Sequence, residues 1–267
     1  MQTDFLLFYS FLQFCTVWLT RFVIRLDKFL SNQGFGSRSQ VQKLIKKGFV
    51  KVNNEIVKDP SYHIDPIKDK VELEGEEISY KENHYFMLNK PAGYITATED
   101  EEYPTVLDLF SDLPIASKLF PVGRLDIDTE GLLILTTDGQ FGHRLSHPKW
   151  NIEKEYYAIV EGDLSNIDFS EYENKGIYLK KEKYQTKPFI ARVLNTSKDK
   201  SEILITLTEG KYHIVKRIMQ ELGHPVLYLK RIRIGSLKLD EDLLPGEFRE
   251  LTEKEIKELK KLIKMND

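Results

Sequence analysis

Apolar residues recur along this chain in several rhythms, and each predicts a different element. Residues 5–20 are the most apolar stretch, interrupted by Ser10, Gln13, Thr16 and Thr20 and followed closely by Arg21. That composition is marginal for a membrane span. Asp4, with no basic residue ahead of Arg21, is not the flank of a secretion signal. Three readings of residues 1–24 stay open: a translation start placed too far upstream, near Val23 or Ile24; a membrane anchor or lipid-contacting segment; and a packed helix.

From Arg25 the spacing turns helical. Leu26, Phe29 and Leu30 predict a short helix that Gly34 and Gly36 end. Ser37 with Gln40 fits a capping box, and Val41, Leu44 and Ile45 form the buried stripe of the helix it opens. Arg38, Lys43, Lys46 and Lys47 take its other face. Short alternating runs follow at 49–53, 56–57 and 70–74, with a turn at Asn53–Asn54. A polar stretch at 79–84 is expected to link two domains. Beyond it strands are predicted at 85–89, 132–136, 156–160, 189–193, 203–207 and 226–229. A helix is expected at 212–222, burying Val215, Ile218, Met219 and Leu222 and stopping at Gly223. Another follows Thr252 and Glu255, burying Ile256, Leu259 and Leu262. Many strands with few helices predict an α+β fold with a largely antiparallel sheet.

Composition narrows this picture. The chain has 267 residues, room for two domains, and 41% hydrophobic with 30% charged residues excludes wholesale disorder. Its single cysteine, Cys15, excludes an internal disulfide framework and a four-cysteine zinc site. Six histidines without a nearby cysteine argue against a structural metal.

The net charge of −3 points to no partner, but its distribution does. Eight basic residues (25, 28, 38, 43, 46, 47, 51 and 58) face two acidic ones between Arg25 and Lys58. Gathered on one helix and the hairpin after it, they favour a phosphate-tracking surface over a merely solvated face. Residues 98–112 carry six acidic groups and no basic one, so that loop should face away from phosphate. Between Lys211 and Arg233 six basic residues (211, 216, 217, 230, 231 and 233) meet only Glu221, which predicts a second basic surface. Two such patches on a short linker would grip one polyanion with avidity.

The densest chemical signal is residues 121–139, where a loop rich in carboxylates precedes an apolar strand. Asp126 and Asp128 could be a glycosidase pair, but two residues apart in extended chain they share a face only about 7 Å apart. A turn would break even that relation. A metal site lacks a histidine before His143. A lone aspartate there would otherwise be a capped turn before a core strand.

Several blocks carry a family resemblance. Arg25-Leu-Asp-Lys-Phe-Leu, Ser37-Arg38-Ser39 and Gly48-Phe-Val-Lys-Val-Asn-Asn resemble the S4-type RNA-binding domain over residues 25–72. Gly123-Arg-Leu-Asp-Ile-Asp-Thr-Glu-Gly-Leu-Leu resembles the catalytic loop of pseudouridine synthases of the small-subunit ribosomal type. Tyr85-Phe-Met-Leu-Asn-Lys-Pro-Ala-Gly-Tyr, Lys154-Glu-Tyr-Tyr and Glu209-Gly-Lys-Tyr-His-Ile-Val-Lys-Arg-Ile-Met match that family in order and spacing.

The resemblance implies an extension (1–24), an S4-type domain (25–80) and a pseudouridine synthase domain with a mainly antiparallel mixed sheet (84–267). It implies that uridine is isomerised: N1–C1′ breaks, the base turns, and C5 bonds to C1′. No cofactor or metal is needed. Asp126 falls on the catalytic aspartate, Tyr156 on the active-site tyrosine, and Lys216 on the basic partner, with Arg217 as the alternative. Arg124, Leu125, Arg217 and Lys211 are the implied substrate contacts. Arg25, Lys28, Arg38, Lys43, Lys46, Lys47 and Lys51 are the implied RNA contacts. Tyr212-His213, Thr186-Lys-Pro188 and residues 244–252 resemble the small-subunit branch. That implies a cytoplasmic monomer acting on 16S ribosomal RNA, or on the assembling small subunit, at uridine 516. The alternatives are 23S RNA as target, or a non-catalytic RNA-binding assembly factor.

Overall fold

The computed structural model describes residues 23–265. The stretch 5–20, with Cys15 and the readings attached to it, lies outside the described residues. Among the described residues no helix is long and apolar enough to cross a membrane. The chain divides after Tyr80 into two compact units.

In the first unit β1 (Ile24–Arg25) leads into α1 (Leu26–Asn32), and α2 (Arg38–Lys46) follows. Ser37 caps α2 through the reciprocal box with Gln40, whose Oε1 accepts the Ser37 N–H at 2.8 Å. The strands β2 (Val50–Val52), β3 (Glu55–Ile56), β4 (His63–Ile64), β5 (Val71–Leu73) and β6 (Glu76–Ile78) complete the unit. They form an antiparallel sheet in the order β3-β2-β5-β6, while β4 pairs with β1. Asn53 and Asn54 take left-handed φ values of 51° and 70°, making the tight turn between β2 and β3. Leu26, Phe29, Leu30, Val41 and Ile45 are buried with Val50 and Val71.

Between the two helices lies Asp27, fully buried. It accepts hydrogen bonds from Arg25 at 2.9 Å, Gln42 at 2.8 Å and Arg38 at 3.3 Å. Desolvation alone would raise its pKa, but these donors outweigh burial and hold the carboxyl far below the usual range. Arg25 and Arg38 therefore serve this buried charge first, with partly exposed guanidiniums. Lys28, Lys43, Lys46, Lys47 and Lys51 are exposed.

The second unit contains β7 (Tyr85–Lys90), β8 (Phe120–Val122), β9 (Glu130–Thr136), β10 (Lys154–Glu161), β11 (Tyr178–Leu179), β12 (Tyr184–Gln185), β13 (Phe189–Thr196), β14 (Lys200–Leu207), β15 (Val226–Ile234), β16 (Leu237–Lys238) and β17 (Phe248–Glu250). Among the described residues, nine of these make one sheet along β13-β14-β10-β15-β9-β7-β17, with β16 on β15 and β8 on β9. β9 and β15 run parallel. The other pairs are antiparallel.

Its centre is covered on both faces. Phe86, Leu88, Leu133 and Leu135 face one core, while Tyr85, Met87, Leu132 and Ile134 face another. This is why β7 and β9 carry unbroken apolar runs instead of alternating ones. The helices are α3 (Gly139–Ser146), α4 (Tyr172–Lys175), α5 (Ile214–Glu221) and α6 (Glu253–Leu262). α3 was not expected from the sequence, because two glycines dilute its apolar stripe. Asp138 caps it by accepting the Phe141 N–H at 3.0 Å. α5 starts at Ile214, not at residue 212, because His213 adopts a left-handed φ of 53°. At the start of the second unit Lys81 bonds Glu250, and the His84 N–H donates to Thr137 Oγ1 at 3.0 Å.

Candidate active site

The carboxylate-rich loop hangs at a fork in the sheet. One edge of β9 is shared by two neighbours: Glu130 and Gly131 pair with β15, and Ile134–Thr136 (residues 134–136) pair with β8. Residues 123–129 connect β8 to β9 across that fork. The parallel seam beneath them depends on Gly131, whose φ is 98°. A Cβ at this position would stand 2.3 Å from the Arg231 carbonyl oxygen.

The loop is tied down from within. Lys90 is fully buried, and its Nζ donates to the carbonyls of Thr129 (2.9 Å), Pro91 (3.0 Å), Asp126 (3.1 Å) and Ile127 (3.4 Å). Burial pulls its pKa down to about 8, opposed by the charges of Asp128, Asp126 and Glu130. Thr96 Oγ1 donates to the Leu125 carbonyl at 2.8 Å and accepts the Leu125 N–H at 3.1 Å. The Asp126 carbonyl also closes a turn by accepting the Thr129 N–H.

So held, the Asp126 side chain is half-buried, 26% exposed, with two partners from α5 and its cap. His213 Nε2 lies 3.3 Å from Oδ1, and Lys216 Nζ lies 3.5 Å from Oδ2. Lys216 makes its short hydrogen bond, 2.6 Å, to Asp128 Oδ1. Burial pushes the Asp128 carboxyl up, and the Lys216 bond brings it below the usual range. One lysine thus bridges both carboxylates. This arrangement does not give the two acids separate roles of proton donor and base.

Asp126 borders a cavity of about 290 Å³, also lined by Arg124, Leu125, Tyr156, Lys211 and His213. Tyr156 is 8% exposed and belongs both to the core and to the cavity wall. Leu125 is buried in the wall, Arg124 is exposed at the rim, and Lys211 lays its ammonium 3.3 Å from the Tyr184 ring centre. Arg217 does not join them. Its guanidinium is 3.4 Å from Glu182 and stacks over Tyr212, because adjacent helix positions diverge by about 100°.

The second basic surface does not form as expected. Arg231 is buried inside the sheet, and Arg233 is bound by Glu153 at 3.1 Å and Glu155 at 3.2 Å. Among the described residues no cluster of three metal-ligating side chains occurs. Sequence reasoning missed two members of this neighbourhood, Lys90 and His213. Lys90 stood just past the expected strand at 85–89, between Asn89 and Pro91, as an unexplained charge. His213 stood between the expected helix start and its first buried residue.

The chain matches the family model described as RNA pseudouridylate synthase over residues 84–221, and the S4 domain model over residues 24–71. It is 44% identical over 245 residues to an uncharacterized RNA pseudouridine synthase of Aquifex aeolicus (strain VF5), covering 91% of this chain and 99% of that one. It is 42% identical to the ribosomal small subunit pseudouridine synthase A of Escherichia coli (strain K12), covering 87% and 98% respectively. A crystal structure of a pseudouridylate synthase superposes with a TM-score of 0.61 at 40% identity, over 88% of this chain and 99% of that one.

Proposed function

The chain belongs to the RNA pseudouridylate synthase family, in the branch that carries an S4 domain, and from this we propose that it isomerises one uridine of 16S ribosomal RNA, at position 516. The observation that carries the reading is Asp126 itself: a carboxylate at a cavity wall, flanked by Lys216 and His213 at 3.5 and 3.3 Å. The 42% identity to a ribosomal small subunit enzyme supports the choice of RNA.

The chemistry follows from these positions. Breaking N1–C1′ leaves positive charge at the sugar carbon, and a fixed carboxylate close by stabilises it or bonds to it. Lys216, 3.5 Å from Asp126 Oδ2, sets a cation beside the carboxylate and fixes where it points. Tyr156, pinned in β10, supplies a flat wall on which the base turns. Arg124 at the rim holds phosphate or fills the helix after the nucleotide flips out, a step that costs a few kcal/mol. The lysines of α2 and its hairpin hold the RNA by shape and charge. The reaction moves no electrons between molecules, so it calls for no redox cofactor; a monomer acting in the cytoplasm, where ribosomal RNA is found, is part of the same proposal.

The test is to incubate the full chain with 16S and 23S RNA and map pseudouridine. A single new site at 516 is expected. A site only in 23S RNA would move the target, and no site in either would remove the reading. Asp126→Asn is expected to lower the rate by at least about 10⁴-fold with RNA affinity nearly unchanged, as for groups that act at the reacting atoms.

A further inference from the structure

Two residues that line the cavity beside Asp126 carry buried polar atoms without a partner among the described residues. Arg231 is 2% exposed, and its Nε donates to the Leu132 carbonyl at 2.8 Å. Its Nη2 is buried with no hydrogen-bond partner among the described residues, and so is the hydroxyl of Thr129. Both residues line the cavity with Asp126 and Tyr156. Arg231 is the register partner of Tyr156 across β10 and β15, so the two side chains leave the same face of the sheet.

The surroundings add charge without compensating it. Lys154 lines the same cavity, and its ammonium donates to the Ile152 carbonyl at 3.2 Å. Burial and the charge of Arg231 draw its pKa down to about 8. A buried cation with an idle donor is costly to keep. Such a group is expected where a ligand completes it, as electrostatic preorganisation requires.

The ligand's chemistry follows from depth. A phosphodiester stays attached to the RNA chain and meets the exposed Arg124 at the rim. The base is the part of a flipped nucleotide that enters furthest. Uracil presents two carbonyl oxygens, both acceptors. When N1–C1′ breaks with the electron pair left on N1, the ring becomes an anion whose charge spreads onto those oxygens. C5 then bonds to C1′, its proton leaves, and N1 gains one, so the product is an isomer.

We propose that the Arg231 guanidinium, with the Thr129 hydroxyl, binds the carbonyl edge of uracil and carries the ring's negative charge while it is detached from the sugar. This rests on reading the cavity as the uridine-isomerising site. Arg231 is then a catalytic residue and the counterpart of Asp126: the carboxylate answers the sugar's positive charge, and the guanidinium answers the base's negative one.

The test compares single-turnover rates, RNA affinity and thermal midpoints for wild type, Arg231→Gln, Arg231→Lys and Thr129→Val. Arg231→Gln is expected to slow pseudouridine formation by about 10²–10³-fold with RNA affinity within about twofold, and Arg231→Lys to recover about tenfold. The discriminating measurement uses RNA carrying 5-fluorouridine at the target, a base that leaves more readily as an anion. Loss of its N-glycosidic bond should suffer less from Arg231→Gln than that of uridine, whereas a structural defect would slow both equally. Thr129→Val keeps the shape and should cost about tenfold in rate, which serves if Arg231→Gln does not fold. Equal slowing of both bases, or full-rate Arg231→Gln or Thr129→Val, would overturn the proposal alone. A wild type inert towards every ribosomal uridine would overturn it together with the reading beneath it.

Discussion

Two stretches with a similar local excess of basic residues have become different things. Between residues 25 and 58 the lysines stay in water on α2 and the hairpin after it. Between 211 and 233 four of the six cations, Lys216, Arg217, Arg231 and Arg233, are drawn inward or neutralised, while Lys211 stays exposed beside Tyr184. Lys216 meets Asp128 across 88 residues of sequence, Arg233 meets Glu155 across 78, and Arg231 is enclosed by the sheet. The first stretch is a surface and the second is a site. A charge run tells where cations lie along the chain. Whether they end in water depends on carboxylates and carbonyls delivered from far away by strand pairing.

That contrast breaks first if Lys216 behaves like a surface lysine. Lys216→Met is expected to lower kcat by about 10²–10³-fold, with RNA affinity little changed in a filter-binding titration. A loss confined to affinity would return it to the first class. Next comes Asp27, the buried carboxylate of the first unit. Asp27→Ala removes the acceptor of four hydrogen bonds and should cost about 2 kcal/mol of stability, read from the denaturant midpoint of the full chain. Unchanged stability would mean that α1 and α2 are joined by their apolar contacts alone.

Replacing Lys43, Lys46 and Lys47 together with Gln should weaken RNA binding about tenfold at moderate salt and flatten the plot of log affinity against log salt by about two. The rate at saturating RNA should stay as it was. An unchanged slope would detach this face from the RNA.

The smallest effect is in pH: in both units stability rises with pH, but over different windows. The carboxyl of Asp27 is depressed on folding, so its contribution is full above the unfolded value of about 3.9 and is lost as pH falls below it. Wild type should therefore lose stability in acid more steeply than Asp27→Asn. Lys90 is depressed to about 8, below an unfolded lysine near 10.4. Between those values the folded chain binds fewer protons than the unfolded chain, so this term raises stability as pH rises. Urea midpoints compared across that window in wild type and Lys90→Met would show whether the term is present.

Local signals in the sequence placed most of the frame. The capping boxes of Ser37–Gln40 and Thr252–Glu255 are both formed, and the apolar runs of β7 and β9 are strands. Asp126, Tyr156 and Lys216 were reached from motif blocks, and all three lie in one neighbourhood of the second unit. What escaped was whatever depends on partners distant in sequence. The burial of Arg231 follows from the pairing of β15 with β9, which no local pattern announces. His213 reaches Asp126 because its backbone turns left-handed, a conformation uncommon for residues other than glycine and not encoded by spacing. Lys90 gave no local sign of its role, since a lysine at the end of a core strand makes sense only once the loop carbonyls around it are known.

The hydrogen that Gly131 carries in place of a side chain sets the width of the reaction centre. Because β9 and β15 touch there at backbone distance, the acid-bearing loop and the strand with the enclosed guanidinium hang from one hinge line. Even a methyl group would act as a wedge and spread both arms, and a misplacement of about 1 Å can cost a hundredfold in rate. The tolerance of the chemistry is thus decided at a position that bears no functional group.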